Sequence, residues 1–131
     1  MALGSNLGNP VQTVEDAIET MAALRGSLLA AISSLYRTAP VGLRNQPDFI
    51  NAVVALDTRL APRELLDELF GLEARFGRIR EPGSARNAPR TLDLDLLLHG
   101  DAVIDDPALT LPHPRMHERA FVLAPLAEIA P

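Results

Sequence analysis

The 131-residue sequence contains no cysteine. Disulfide frameworks, thiolate zinc sites and thiol nucleophiles are therefore excluded. Lysine is absent as well, all 12 basic residues being arginine, which removes any phosphate loop that ends in Gly-Lys-Ser/Thr. Genomic bias toward GC-rich codons is the plain explanation of that absence. Long hydrophobic runs are missing too: the longest aliphatic stretch, Leu28 to Ile32, falls far short of the roughly 20 residues that span a bilayer. No basic-then-apolar leader opens the sequence, whose first positive side chain is Arg25, so the expectation is a soluble, cytoplasmic protein with no membrane partner.

What is present is ordinary in bulk. The hydrophobic fraction is 47% and the charged fraction 22%, both near globular averages. The length suits one small domain over residues 1–131, so a site must be built inside a single core. A net charge of −5 argues against non-specific binding to nucleic acid or to an anionic surface. The distribution is less even than the total. Arg75, Arg78, Arg80, Arg86 and Arg90 stand within sixteen residues that hold one acid, Glu81, a local charge of +4. The remaining seven arginines and sixteen acids carry −9. Such a cationic stretch in an anionic chain points to one local anion site.

Hydrophobic periodicity predicts a strand tail at Ala2-Leu3 entering a turn-rich loop, Gly4 to Pro10, and a helix from Val11 to Leu24. Leu28 to Arg37 reads as a strand, Thr38 to Pro47 as a loop with two prolines and a glycine, and Phe49 to Thr58 as a long β-branched strand. Pro62 suits a first helical turn, and Leu65, Leu66, Leu69, Phe70, Leu72 and Phe76 predict an amphipathic helix to Gly77. A loop from Arg78 to Pro89, a strand from Thr91 to His99, short strands near Ala102–Ile104 and Leu109–Leu111, and a mostly helical Arg115 to Ile129 complete the chain. The order β-α-β-β-α-β is the ferredoxin-like α+β sandwich, here with extra short strands and a C-terminal helical segment. That plan hosts many functions and decides no chemistry.

The sharpest motif is Arg90-Thr91-Leu92-Asp93-Leu94-Asp95-Leu96. Alternation puts Thr91, Asp93 and Asp95 on one strand face and the leucines on the other. The two carboxylates then stand side by side, with Cα atoms about 6.6 Å apart by strand rise. Carboxylates that close repel unless a cation compensates, and with phosphate oxygens they make a hard-oxygen Mg²⁺ site. A solvated strand face is the bland alternative, yet aspartate is a poor strand former. The arginines supply the complement: guanidinium groups bind phosphate bidentately. Arg78 and Arg80 also suit a helix C-terminus, where cations relieve the dipole. Arg90 stands three residues before Asp93. The loop 81–88, with Glu-Pro-Gly-Ser, suits a lid. Gly4-Ser5-Asn6-Leu7-Gly8-Asn9 matches no nucleotide fingerprint and reads as a flexible loop beside the sheet. His113 and His117 read as polar contacts, and Phe49 and Phe121 as core aromatics.

Taken in order, these segments resemble 6-hydroxymethyl-7,8-dihydropterin pyrophosphokinases of folate biosynthesis. The resemblance covers Leu3-Gly4-Ser5-Asn6-Leu7, Ser34 to Thr38, Gln46 to Ala52, Gly77-Arg78, Pro89 to Asp95, Leu111-Pro112-His113 and Arg119 to Leu123. It implies transfer of the β,γ-pyrophosphoryl group of ATP to the pterin hydroxymethyl group, releasing AMP. By it, Asp93 and Asp95 are ligands of two Mg²⁺ ions that bridge the ATP phosphates, with Asp93 nearer the pterin hydroxyl. Arg78 and Arg90 are the catalytic loop arginines, and Arg80 assists on the phosphates. Thr38, Pro40, Val41, Phe49, Asn51 and Phe121 line the pterin pocket, the two rings sandwiching the bicycle and Asn51 reading its amide-like edge. Leu66, Glu73, Leu96, Thr110, His113 and Arg119 surround ATP. Asn87 stands where the family commonly has a basic or aromatic residue, Pro114 replaces a frequent Tyr, the loop between Arg78 and Pro89 is about two residues longer than the family's pattern, and both ends are short. The expected partners are small molecules alone, and the expected state is a monomer.

Two other readings remain open on the sequence. A different two-metal enzyme, a nucleotidyl transferase or nuclease, would need a nucleic-acid surface that the −9 outside the arginine stretch disfavours. A non-catalytic binding or regulatory module would use the carboxylates for solubility only.

Overall fold

The computed structural model describes residues 1–6, 8–39, 47–76, 92–114 and 120–129. The first strand, β1 (Ala2–Ser5), is buried at all four positions. Gly8 follows at φ +64°, and Asn9 caps helix α1 (Pro10–Ala22) by accepting the Gln12 N–H at 3.3 Å. Pro10 opens that helix, where its missing N–H costs nothing. Val14, Ala17 and Met21 are fully buried along one stripe, each larger side chain contributing about 1.5–3 kcal/mol of transfer free energy.

The expected single strand from Leu28 to Arg37 is two strands, β2 (Ser27–Ile32) and β3 (Tyr36–Thr38). The break lies at Ser33, whose N–H donates to Val53 O while its Oγ accepts the Val53 N–H, each at 2.9 Å. One side chain thus takes over a ladder bond, and the backbone leaves the strand path. Strand β4 (Phe49–Thr58) has the limits expected from its β-branched run. Helix α2 (Pro62–Arg75) follows, with the Ala61 N–H donating to Glu64 Oε1 at 2.9 Å.

Strand β5 is Asp93–Asp95, much shorter than the expected Thr91 to His99, of which Thr91 lies outside the described residues. It pairs with Ala2 to Gly4 of β1. Beyond Asp95 that register has run past the β1 partners, and Leu97 O instead accepts the His113 N–H at 2.8 Å. Two short strands, β6 (Ile104–Asp105) and β7 (Thr110–Leu111), pair with each other. Helix α3 (Ala120–Ile129) closes the described chain.

The main sheet runs β2-β4-β1-β5 with β3 also on β4, and every pairing is antiparallel. Leaving out the inserted β3, this is the ferredoxin-like α+β order expected from the sequence. One face packs on α1 and α2: Leu3, Ile50, Ala52, Val54 and Leu94 meet Val14, Ile18, Met21, Leu65, Leu69 and Leu72. The other face carries a smaller cluster in which Ala2, Val53 and Leu97 meet Val122, Leu126 and Ile129 of α3. Met1 prolongs the β1–β4 pairing, its amine donating to Val54 O at 2.7 Å. Burial pushes that amine down to about 5, with the Asp95 carboxylate acting in the opposite sense. Among the described residues, no helix is long and apolar enough to cross a membrane.

Candidate active site

The sheet register assembles the site. Tyr36 pairs with Asn51, Asn51 with Gly4, and Gly4 with Asp93. Directly paired residues in an antiparallel ladder project to the same face. One row therefore crosses four strands on the face away from α1 and α2. A second row on the same face is Thr38 with Phe49, and a third joins Val53, Ala2 and Asp95. Asn51 and Asp93 stand two strand spacings apart, about 10 Å. In that row Gly4, which has no side chain, is the residue between them, and the strip forms a shelf with a carboxamide at one end and the carboxylates at the other.

Gly4 matters because of its neighbour. A Cβ on it would stand 2.9 Å from Asn51 Oδ1, closer than real Cβ contacts allow. Asn51 is 6% exposed and its Nδ2 donates to Thr38 Oγ1 at 2.5 Å. The amide is held by Thr38 of β3 on one side, and its Oδ1 lies over Gly4 of β1 on the other. The segment around Gly4 is thus no flexible loop: Gly4 and Ser5 belong to the central strand, and Ser5 and Asn6 are buried. Asn6 Nδ2 donates to Pro47 O at 3.1 Å, tying the end of β1 to the approach to β4. A run of small and polar residues reads as a turn because its burial comes entirely from neighbouring strands.

Asp93 and Asp95 are half-buried on that face, while Leu92, Leu94 and Leu96 point into the core. The alternation anticipated from the sequence is present. Among the described residues β5 is the sheet edge, so the outward N–H of Leu94 needs a partner. Glu73 of α2, only 2% exposed, supplies it: its Oε2 accepts the Leu94 N–H at 2.9 Å. A buried carboxylate thereby grips the strand between its two aspartates. The spacing of Leu65, Leu69 and Glu73, four apart, signals a polar residue on the core face of α2, though not what it bonds.

His113 Nε2 lies 3.9 Å from Asp95 Oδ1, with both side chains partly shielded. Thr110 is half-buried in β7, Leu66 packs half-buried against the main core, and Leu96 is buried at 4% exposure. Leu66, Glu73 and Leu96 thus turn inward, whereas Asp93, Asp95 and His113 gather at the sheet edge. A cavity of about 410 Å³ lies between Val53–Thr58 and Leu96–Gly100 and reaches Leu126 and Ile129. It takes in Leu96 but neither the aspartates nor Asn51, so it is separate from the shelf.

Arg78, Arg80, Arg90, Pro40, Val41, His117 and Arg119, together with the loop 79–88, lie outside the described residues. The backbone of Phe121 is in the first turn of α3, and its side chain is outside the description. Among the described residues, no group of three or more His, Cys, Asp and Glu is arranged to hold a metal ion. Two carboxylates on an edge strand fit a Mg²⁺ ion that completes its shell with phosphate oxygens and water, because that ion binds through one or two carboxylates plus substrate phosphates. They do not form an all-protein cage.

A family model described as 7,8-dihydro-6-hydroxymethylpterin-pyrophosphokinase matches residues 1–131. The 2-amino-4-hydroxy-6-hydroxymethyldihydropteridine pyrophosphokinase of Pseudomonas aeruginosa is 48% identical over 131 residues, covering 100% of this chain and 79% of that protein. The protein of the same name from Haemophilus influenzae is 45% identical over 130 residues, covering 99% and 79%. That from Methylorubrum extorquens is 46% identical over 131 residues, covering 100% and 81%.

Proposed function

This chain belongs to the 7,8-dihydro-6-hydroxymethylpterin-pyrophosphokinase family, and from that premise we infer the reaction it carries out. It transfers the β,γ-pyrophosphoryl group of ATP to the hydroxymethyl group of 6-hydroxymethyl-7,8-dihydropterin in folate biosynthesis. The pterin hydroxyl oxygen bonds to the β-phosphorus, the bond from that phosphorus to the α,β-bridging oxygen breaks, AMP leaves, and the hydroxyl proton passes to solvent. The observation that carries this reading is the row Asn51, Gly4, Asp93 on one sheet face, in a chain matched over its whole length by the family model.

Phosphoryl-type transfer needs positioning and charge neutralisation more than a nucleophilic side chain. In our reading the pterin lies on the shelf over Gly4, with Asn51 reading its amide-like edge and Thr38 holding the Asn51 amide. Phe49 and Phe121 bound its faces, and Pro40 and Val41 complete the pocket. Its hydroxymethyl group then points along the row toward Asp93. Asp93 and Asp95 would hold the two Mg²⁺ ions, which would neutralise charge on the ATP phosphates and make the β-phosphorus more open to attack. Arg78 and Arg90 neutralise the charge that develops on the transferred group, and Arg80 assists on the phosphates. Thr110, His113 and Arg119 face the nucleotide, while Leu66, Glu73 and Leu96 shape its side of β5 from within. The remaining partners are small molecules, and the protein acts as a cytoplasmic monomer.

The test is a product assay by nucleotide chromatography. AMP should appear only when ATP, Mg²⁺ and the hydroxymethyl-dihydropterin are all present. ADP as the product, or AMP formed without the pterin, would overturn the reading.

A further inference from the structure

A carboxylate far from the phosphate chemistry holds two walls of the proposed pterin pocket together. Glu128 is the penultimate residue of α3. Acidic side chains are disfavoured at a helix C-terminus, where the backbone already presents negative charge. Its partners account for it. Glu128 accepts the Ser34 N–H at 3.1 Å on Oε1 and 2.9 Å on Oε2, the Ser34 hydroxyl at 3.1 Å, and the Tyr36 hydroxyl at 2.7 Å. One exposed carboxylate thus takes three donors from a segment more than ninety positions away. Bonds to an ionised acceptor are about twice as strong as neutral ones.

The recipient segment gives those bonds their consequence. Ser34 lies in the break between β2 and β3, and Tyr36 is the first residue of β3. Three residues make a marginal strand. Its far end carries Thr38, whose Oγ1 accepts the Asn51 amide, and its near end is held by Glu128. At its opposite end α3 carries Phe121, seven residues from Glu128 and so about 10 Å along the axis. The same helix that bears Phe121 therefore grips the strand that bears Thr38. Tyr36 also pairs directly with Asn51 in the sheet, so a shift of β3 is passed to Asn51 by backbone and by side chain.

We propose that Glu128 is a positioning residue for pterin recognition: through Ser34 and Tyr36 it fixes β3 against α3, and so sets the spacing of Thr38, Asn51 and Phe121. The proposal rests on the assignment of those residues to the pterin. Glu128 lies outside the phosphate-handling group, so its loss should separate pterin binding from nucleotide binding.

The experiment uses the full chain and its Glu128→Ala, Glu128→Gln, Tyr36→Phe and Glu128→Ala/Tyr36→Phe variants. Equilibrium binding of 6-hydroxymethyl-7,8-dihydropterin is measured with a non-hydrolysable ATP analogue and Mg²⁺ present, beside binding of the analogue alone. Glu128→Ala should weaken pterin binding about 10-fold, the scale of one lost charge-assisted hydrogen bond, and leave analogue binding within about twofold. In steady state the pterin KM should rise while kcat changes little. Glu128→Gln keeps an acceptor oxygen and should recover part of the loss. The double variant should be no weaker than Glu128→Ala, because Tyr36 acts through Glu128. Unchanged pterin binding in folded Glu128→Ala, or equal losses for pterin and analogue, would overturn the proposal. If Glu128→Ala does not fold, Tyr36→Phe decides by the same criteria, with a loss of about threefold expected. Wild-type protein that binds no pterin would instead overturn the functional reading.

Discussion

Gly4 and Asn51 are paired across β1 and β4, and Asn51 Oδ1 lies 2.9 Å from where a Cβ on Gly4 would stand, too close for one to fit. The absence of a side chain at one residue sets the position of the other. Gly4→Ala should therefore act on recognition more than on folding, because the displaced atom is the movable end of a side chain. We expect kcat/KM for the pterin to fall about 10-fold or more, the cost of misplacing one specific hydrogen bond. Thermal unfolding should shift by only a few degrees at most. Steady-state kinetics beside a melting curve check this; a large loss of stability with intact kcat/KM would contradict it.

Asp95 stands beside Asp93 on the same strand face and 3.9 Å from His113 Nε2. Asp95→Ala should abolish Mg²⁺-dependent ATP binding and reduce turnover by at least about 10³-fold, the scale seen when charge stabilisation of a transition state is lost. Isothermal titration with ATP, with and without Mg²⁺, is the measurement. Binding that survives undiminished would leave the carboxylates as surface charge only.

Glu73 tests the support beneath β5. Removing its carboxylate leaves the Leu94 amide without that acceptor, at a cost of about 1–3 kcal/mol for the unsatisfied group, with a cavity in the main core added. Glu73→Ala should thus lower stability by roughly 2–4 kcal/mol and raise the Mg²⁺ requirement, because the strand that carries both aspartates loses its anchor. Glu73→Gln, which keeps an acceptor, should lose less. Chemical denaturation and a Mg²⁺ titration of activity distinguish these outcomes.

Glu128 and Tyr36 give a dependence on pH at both ends of the scale. The Tyr36 hydroxyl, and after it the Ser34 amide, hold the Glu128 carboxyl below its ordinary value of 4.5. A depressed carboxylate contributes stability that is present above its unfolded value and is lost as pH falls through the folded one. The hydrogen bond to Glu128 raises the Tyr36 phenol above its ordinary 10.0. That contribution is present below pH 10 and is lost as pH rises through the folded value. Glu128→Gln should flatten the acid limb of a stability–pH curve and shrink the alkaline loss. Unfolding midpoints measured from pH 2.5 to 11 provide the check, and superimposable curves for the two proteins would contradict it.

Much of this organisation is legible in the residues. The strand Phe49–Thr58 and the helix from Pro62 follow from β-branched runs, proline placement and apolar spacing, which are local properties. The alternation of Leu92, Asp93, Leu94, Asp95 and Leu96 states on its own that two carboxylates share a face. Ser33 shows where local reading fails. Nothing in Leu-Leu-Ala-Ala-Ile-Ser-Ser announces that a hydroxyl will replace a ladder bond to Val53 and divide one strand into two. The short β5 is a second case: a run of leucines is a strand only as far as its neighbour offers partners, and pairing with β1 ends at Asp95.

The candidate site divides along the same line. By its own periodicity, composition and motifs the sequence determined the order of elements, the aspartate pair and the concentration of arginine, and its resemblance to known pyrophosphokinases pointed to the family. Which residues meet was decided only by the tertiary structure. Asn51, Gly4 and Asp93 fall in one row because antiparallel hydrogen bonding fixes the register of strands more than forty residues apart, and a slip of one residue would send each to the opposite face. Glu73 reaches Leu94, and Glu128 reaches Ser34 and Tyr36, because packing α2 and α3 on the two sides of the sheet brings a carboxylate to backbone groups left unpaired at a sheet edge and at a strand break. A buried or edge-on donor must find an acceptor somewhere, and only the folded chain determines where.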